Sequence, residues 1–162
     1  MLAGAVKGAV AGLGAGWVMN AVTSVIYDRQ DPMARSREED ARGGKIAYEK
    51  AAQKTARLFG RDLSDRSARE WGTTFHEGLA AAGGALYGAL RGRVPVVKLG
   101  AGLLFGLAFF LVVDELANPV LKLAPGPRAF PWQTHVRGLA GHLTYGVATE
   151  TQLRILDGAT RL

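Results

Sequence analysis

No cysteine occurs among the 162 residues. This absence excludes disulfide bonds, cysteine-based zinc sites and thiol catalysis. Other catalytic signatures are incomplete: His76-Glu77 does not continue to HExxH, and no serine stands in a G-x-S-x-G turn. Gly100-Ala-Gly102 does not complete the dinucleotide-binding G-x-G-x-x-G pattern. We therefore expect a protein that is not an enzyme and holds no cofactor.

Charge is scarce outside one segment of the chain. Residues 28–70 carry 20 of the 34 charged side chains, and the remainder is rich in Ala, Gly and Leu. The long weakly charged stretches reach the roughly 20 residues that a helix needs to cross a bilayer. The pattern predicts an all-α integral membrane bundle, a single domain over 1–162. Its four Gly-rich transmembrane helices are predicted at about 2–27, 67–91, 96–118 and 131–157, with a charged, partly helical connection at 28–66. The alternative is a soluble bundle with buried Gly/Ala-rich helices.

Several helix ends are marked in the sequence. Ser67-Ala-Arg-Glu70 and Ser36-Arg-Glu-Glu39 both have the pattern of a capping box. Pro131 suits the first position of the fourth helix, and Asp157-Gly158 suits its end. Lys45 to Phe59 has the apolar periodicity of a short amphipathic helix. The first apolar stretch is expected to be a retained helix rather than a secretory signal, since no clear small-residue cleavage site follows it.

Glycine is abundant, with 22 residues, and it recurs at helical spacing. Residues four apart share one face of a helix, and small residues let membrane helices approach closely. We expect ten glycines to pack helices: Gly4, Gly8, Gly12, Gly16, Gly84, Gly88, Gly102, Gly106, Gly138 and Gly146. These stripes predict either contacts between the bundle's own helices or contacts with another membrane protein.

The predicted topology brings ionisable side chains to one end of the bundle. With four spans, the start of helix two, the end of helix three and the start of helix four meet on the side of the charged connection. Ionisable groups inside a membrane are costly and generally face an interior or a watery cavity. His76, Asp114 and His142 form the candidate proton or divalent-metal site, with a second tier of Glu77, Glu115 and His135. The alternative for each is a satisfied buried group or a headgroup contact.

From about Trp71 to Asp157 the chain resembles the YagU-like family of small bacterial inner-membrane proteins, whose function is not established. The resemblance rests on motifs in order along the chain: His76 with Tyr87, Leu99-Gly100-Ala-Gly102, Pro119, Leu123-Ala-Pro125, Phe130-Pro131-Trp132, and Gly141-His142-Leu143 with Tyr145. The family position that matches Asp114 tends to be His. The resemblance implies a multi-pass protein of the bacterial inner membrane.

Two criteria for orientation disagree. Lys and Arg number 14 on the side of the charged connection and 6 on the other side, which places the connection in the cytoplasm by the positive-inside rule. The resemblance implies the opposite arrangement, with the turn from Arg91 to Lys98 inside.

These observations give two functional hypotheses. The first is a structural or accessory subunit that docks on a larger membrane complex, or self-associates, through glycine stripes. The second is a small proton or divalent-metal pathway through the intramembrane His and carboxylate groups. The expected partners are the lipid bilayer and other membrane subunits or further copies of the chain. The net charge of +6 suits an anionic lipid surface. Nucleic acid is not expected, because the basic residues are interleaved with acidic ones and lack an aromatic platform.

Overall fold

The computed structural model describes residues 1–159, and within that range the protein is helical with no strand. Four helices form the bundle and two short ones lie in the charged connection. In chain order the helices are α1 (Leu2–Asp28), α2 (Pro32–Arg42), α3 (Ala47–Leu58), α4 (Asp65–Leu90), α5 (Leu103–Phe110) and α6 (Trp132–Ala159). Helix α5 continues without a break through a π-helical segment, Leu111–Ala117, and a last turn, Asn118–Val120.

Helices α1 and α4 cross in antiparallel fashion with their backbones in contact. A Cβ atom built at Gly4 would lie 2.6 Å from the carbonyl oxygen of Gly88, closer than real Cβ atoms come to such an atom. Built at Gly8, it would overlap the carbonyl oxygen of Gly84, and the relation is reciprocal. Gly12 and Gly16 pack against Ala80 on the same row. Only a residue without a side chain allows this approach, so the first glycine stripe is used within the chain.

Helices α5 and α6 make a second crossing of the same kind. Gly102 and Gly146 touch through their backbones, and a Cβ at Gly106 would overlap the carbonyl oxygen of His142. Gly138 lies against the Phe110 ring and the Asp114 carboxylate. All ten of the glycines expected to pack helices therefore contact another helix of the same chain.

The interior and the surface are inverted relative to a soluble bundle. Buried positions on α1 are all Gly or Ala, whereas Val6, Val10 and Trp17 are 57%, 59% and 67% exposed. Water-soluble proteins bury such side chains and rarely expose them in contiguous patches. Two helical segments, Leu2–Asp28 and Pro95–Val120, are long and apolar enough to cross a membrane, and only 22% of the most apolar part of each is buried in the fold. This arrangement fits lipid contact better than the alternative of a soluble bundle.

The third helix of the bundle begins later than predicted. The sequence predicts helix from 96, but Pro95–Gly102 is a distorted 3₁₀ segment, and α5 begins at Leu103. Gly100, Ala101 and Gly102 have φ values of 62°, 56° and 96°, which no right-handed helix accommodates. The chain turns sharply here because Gly102 must reach the backbone of α6.

Both predicted capping boxes are wrong. Helix α2 begins at Pro32, where the Asp31 side chain accepts hydrogen bonds from Met33 N and Ala34 N. Helix α4 begins at Asp65, capped by the Ser64 hydroxyl. The true caps, Asp31 and Ser64, precede the predicted ones by five and three residues. Their side chains already satisfy N–H groups of an earlier first turn, and Pro32 and Asp65 are well suited to the first helical position. At the other end of the chain, α6 begins at Trp132 rather than Pro131 and runs past Asp157-Gly158 to Ala159.

The amphipathic helix predicted between Lys45 and Phe59 is present as α3. Left-handed glycines precede and follow it, at Gly43, Gly44 and Gly60. Helix α3 lies against the start of α4, where the Glu49 backbone packs on Gly72. A salt bridge of 2.8 Å between Lys45 Nζ and Asp65 Oδ1 joins the two helices at the surface. That contact, chiefly its hydrogen bond, lowers the pKa of the Asp65 carboxyl.

Candidate functional site

A cavity of about 300 Å³ lies at one end of the bundle, between α3 and the helices it covers. This is the end where α1 and α5 finish and α4 and α6 begin, as the antiparallel crossings require. Its polar lining includes His76 of α4, Asp114 and Glu115 from the end of α5, and His135 of α6. Four of the predicted site residues therefore share one cavity. Glu77 is exposed and is not part of its lining.

The π-helical segment places two consecutive carboxylates on this cavity. Asp114 and Glu115 follow the apolar run of α5 and both line the cavity wall. A π turn, with its i→i+5 hydrogen bonds, is rare and is frequently found at functional sites. The sequence shows the two acids but gives no signal for the π turn that presents them.

His142 lies deeper in the bundle, directly behind Asp114. Its side chain is 3% exposed, and its Nε2 atom lies 3.2 Å from Asp114 Oδ2. The two groups are close but not aligned, so neither ring nitrogen of His142 makes a hydrogen bond within the described chain. Phe109 and Phe110 surround the ring, with centroids 5.3 Å and 5.8 Å away. A buried imidazole without a hydrogen bond is costly, and Asp114 is the carboxylate within salt-bridge distance of this one.

His135 and Glu115 form a hydrogen-bonded pair on the cavity wall. His135 Nδ1 lies 2.6 Å from Glu115 Oε1, and its Nε2 lies 3.0 Å from the Pro127 carbonyl oxygen. Since both ring nitrogens face oxygen atoms, both contacts are hydrogen bonds only when the pair holds two protons.

His76 contacts α3 rather than the other predicted site residues. Its ring packs edge-on against Tyr48, with 4.8 Å between centroids. Burial raises the pKa of the Tyr48 phenol, and the charge of Asp114 raises it further. Among residues 1–159 no three His, Asp or Glu side chains are arranged to hold a metal ion. The geometry thus pairs His142 with Asp114 but does not assemble a metal site from His76, Asp114 and His142.

A buried ion network that the sequence analysis missed lies beside the cavity. Glu38 of α2 is fully buried and binds both Arg42 and Arg137, with Arg137 Nη1 donating to Glu38 Oε2 at 2.9 Å. Thr134 donates to the same oxygen at 2.8 Å. Burial alone would raise the pKa of Glu38, but these hydrogen bonds and the two arginine charges outweigh it and lower the pKa. The Arg137 guanidinium also stacks over the Tyr27 ring at 4.9 Å.

A second missed network closes the opposite end of the bundle. Glu150 is 2% exposed and accepts a hydrogen bond of 2.9 Å from Tyr87, while Arg91 and Arg154 bind it at 3.1 Å and 2.7 Å. Glu150 and Arg154, four residues apart on α6, thus belong to a larger group of paired charges. Arg91 also reaches Asp157 at 2.6 Å, and Lys7 binds the same carboxylate at 3.0 Å.

One sequence signal was available for part of these networks. Glu150 and Arg91 interrupt or flank apolar helices, so their charges demand partners. Glu38 carries no such signal, because it stands in the run Ser36–Asp40 among acids that are exposed or only salt-bridged at the surface. Comparison with known protein families, curated proteins and solved structures finds no match to this chain, so the resemblance to the YagU-like family stays a prediction.

Proposed function

We propose that this protein is a multi-pass membrane bundle that conducts protons through its interior by way of Asp114 and His142. Four spans, α1, α4, α5 and α6, make up the proposed bundle. Its location in a bacterial inner membrane rests on the family resemblance alone. The inverted surface supports a lipid environment, because apolar side chains face outward along α1 and α5.

His142 is the single observation on which the proton hypothesis depends. Its imidazole is 97% buried and makes no hydrogen bond within residues 1–159; such groups are rare in native structures, which favours a role that uses the free nitrogens. It lies behind Asp114, which lines the cavity, and beside the rings of Phe109 and Phe110. Asp114 reaches it from the cavity side and is itself 29% exposed, so it can exchange protons with water. Histidine is suited to this role because its ordinary pKa lies close to neutral pH.

Polar groups continue beyond His142 along the inner face of α6. Tyr145 lies about 4.5 Å further along the helix axis at 1.5 Å per residue. Its hydroxyl donates to the Ala80 carbonyl oxygen at 2.5 Å, and Thr149 donates to the Tyr145 carbonyl oxygen at 2.8 Å. Glu150 and its arginines follow at the far end. A proton from the cavity would pass to the Asp114 carboxylate and then to His142, which lie 3.2 Å apart.

Proton flux into liposomes tests this directly. The purified protein would be reconstituted with a trapped pH-sensitive dye, and a potassium gradient with valinomycin would drive protons inward. We expect His142→Ala to abolish the protein-dependent flux. Glu77→Gln is the matched control, since Glu77 is exposed and outside the cavity, and it should conduct like wild type. Full flux through His142→Ala would refute the proposal.

We propose protons rather than a divalent metal because the described carboxylates and imidazoles pair off instead of converging. Asp114 faces His142, and Glu115 faces His135. A site for Zn²⁺ or a similar ion needs at least three such ligands around one point.

Association with other membrane proteins is a second candidate function, but it needs a different surface from the glycine stripes. The glycine-lined faces of α1, α4, α5 and α6 are already buried in contacts between helices of the bundle. Gly78 of α4 is different, because a Cβ there would meet no described atom within 4 Å, and Phe75 beside it is exposed. If α4 packs on a partner, Gly78→Leu should change the particle size in blue-native electrophoresis. Unchanged migration would count against this surface.

A further inference from the structure

We propose that the carboxyl end of α3 is an interfacial anchor that binds the anionic headgroups of the surrounding lipid leaflet. In this proposal Leu58 and Phe59 enter the leaflet and the basic residues around them contact lipid phosphates. The inference rests on the membrane location proposed above, but not on proton conduction.

The first observation is exposure. Leu58 and Phe59 are 84% and 77% exposed, which places them among the most exposed large apolar side chains of the protein. They do not belong to any helix of the bundle. Earlier residues of α3 pack on the protein, Tyr48 against His76 and Glu49 against Gly72, whereas the two residues at its end are exposed. An adjacent pair of bare apolar residues at the end of an amphipathic helix is typical of interfacial binding.

The second observation is position. Lys54 Nζ donates to the Leu121 carbonyl oxygen at 2.6 Å, which fixes the end of α3 beside the end of the α5 segment. Leu58 lies one helical turn beyond Lys54 on the same side of α3. Val120 and Leu121 are 68% and 57% exposed. The apolar surface that α5 presents to lipid therefore continues onto Leu58 and Phe59 at the level where that helix ends.

The third observation is charge. Four basic residues flank these apolar residues along the chain: Lys54, Arg57 and Arg61 around Leu58 and Phe59, and Lys122 next to Leu121. Arg57 is bound to Asp62 at 3.0 Å, with both groups exposed. The side chains of Arg61 and Lys122 have no partner within residues 1–159. Apolar insertion beside unpaired cations matches an anionic leaflet, where each basic residue near the surface strengthens binding about fivefold.

The absence of cysteine makes the test clean, since one introduced cysteine is the only labelling site. Phe59→Cys would carry a nitroxide spin label, and its accessibility to oxygen and to a water-soluble nickel complex would be measured in nanodiscs. One set of discs contains only phosphatidylcholine. The other contains about 30% phosphatidylglycerol, which gives the disc surface a negative potential. Asp62→Cys is the matched control on the same turn, and Val10→Cys reports the lipid core.

We expect the Phe59 label to be shielded from nickel in the anionic discs and more accessible in the neutral ones, with the Asp62 label accessible in both. Adding Arg61→Gln and Lys122→Gln should raise the phosphatidylglycerol fraction needed for shielding. A Phe59 label that is water-accessible in both discs, or equally shielded in both, would overturn the anionic-lipid proposal. The Val10 label distinguishes a failure of the anchor from a failure of the membrane location. If it too is accessible to nickel, the membrane location itself fails; if it is shielded, only the anchor fails.

Discussion

Replacing Gly84 by alanine should separate α1 from α4, although alanine is the better helix former. The added Cβ would overlap the carbonyl oxygen of Gly8 and would stand 2.6 Å from the Cα of Gly12. Both are backbone atoms, so no side-chain rotation relieves the clash. Ordinary carbon contacts need about 3.5 Å, and the helices must therefore move apart by roughly 1 Å.

The cost of that movement can be worked out from what the crossing contains. A gap of 0.5–1 Å forfeits about a quarter to a half of each dispersion contact along the row. Overpacking of this type costs about 1–3 kcal/mol. Alanine returns about 0.8–1 kcal/mol through helix propensity. We expect a net destabilisation of about 0–2 kcal/mol, together with a looser contact between Tyr145 and Ala80, which lies one turn away from Gly84 on the same helix.

Gly78→Ala supplies the control, because it makes the same chemical change on the same helix with no described atom within 4 Å. It should be neutral or stabilising by up to about 1 kcal/mol. Both variants would be unfolded with increasing SDS mole fraction in mixed micelles and followed by circular dichroism. Equal stabilities for the two variants would refute the close crossing of α1 and α4.

Three further outcomes follow from the polar networks. Glu38→Gln should cost about 3 kcal/mol at pH 7, since it leaves Arg137 buried without its counter-charge. Because folding lowers the pKa of Glu38, the stability that its carboxylate contributes is complete above about pH 4.3, the unfolded-state pKa, and is lost as the pH falls through the lower folded pKa. Free energies of unfolding of wild type and variant, measured from pH 7 to 3, check this. A stability difference that stays constant over that range would contradict it. Tyr87→Phe should lower the free energy of unfolding by about 1.5–3 kcal/mol, because the hydrogen bond to Glu150 is lost. Tyr48→Phe is the control, since the Tyr48 hydroxyl has no hydrogen bond within residues 1–159, and it should cost under about 0.5 kcal/mol. Similar costs for both variants would argue against the Glu150 network. Lys45→Gln should raise the pKa of Asp65, measurable by carbon-detected NMR titration, and an unchanged value would remove the surface bridge between α3 and α4.

The parts of the fold that follow a regular period were predictable. Helical spacing of apolar residues predicts α3 within two residues of its bounds, and the four-residue glycine rows predict close helix contacts. The start of α5 was not predictable from hydropathy, because Leu99 is as apolar as the helix that follows it. Its position is fixed by a tertiary demand: Gly102 must meet Gly146 on α6. The sequence also leaves open which stripe faces which, and the structure pairs them all internally.

The candidate site was also predictable only in part. Antiparallel topology alone brings His76, Asp114 and His135 to one end, and the structure places them on one cavity. Glu115, which pairs with His135, lies in the π-helical segment, for which the sequence gives no signal. Glu38 and Arg137 meet only because α2 folds back over the start of α6, a contact between residues about a hundred positions apart.

Within residues 1–159 two segments are long and apolar enough to cross a membrane, and the buried networks explain why α4 and α6 are less apolar. Helices α4 and α6 contain charged and polar residues that lower their average apolarity, and a scale that treats each residue as isolated counts every one as a cost. In the folded chain Glu150 is bound by Tyr87 and two arginines. The transfer cost of a paired and hydrogen-bonded charge is far smaller than that of a free one. The proposed four spans are therefore compatible with the weak apolarity of α4 and α6, provided that the bundle forms as a unit. His142 differs from Glu150, because it is buried among aromatic rings and makes no hydrogen bond within the described chain. The proposed proton-carrying role accounts for the burial of this unpaired imidazole.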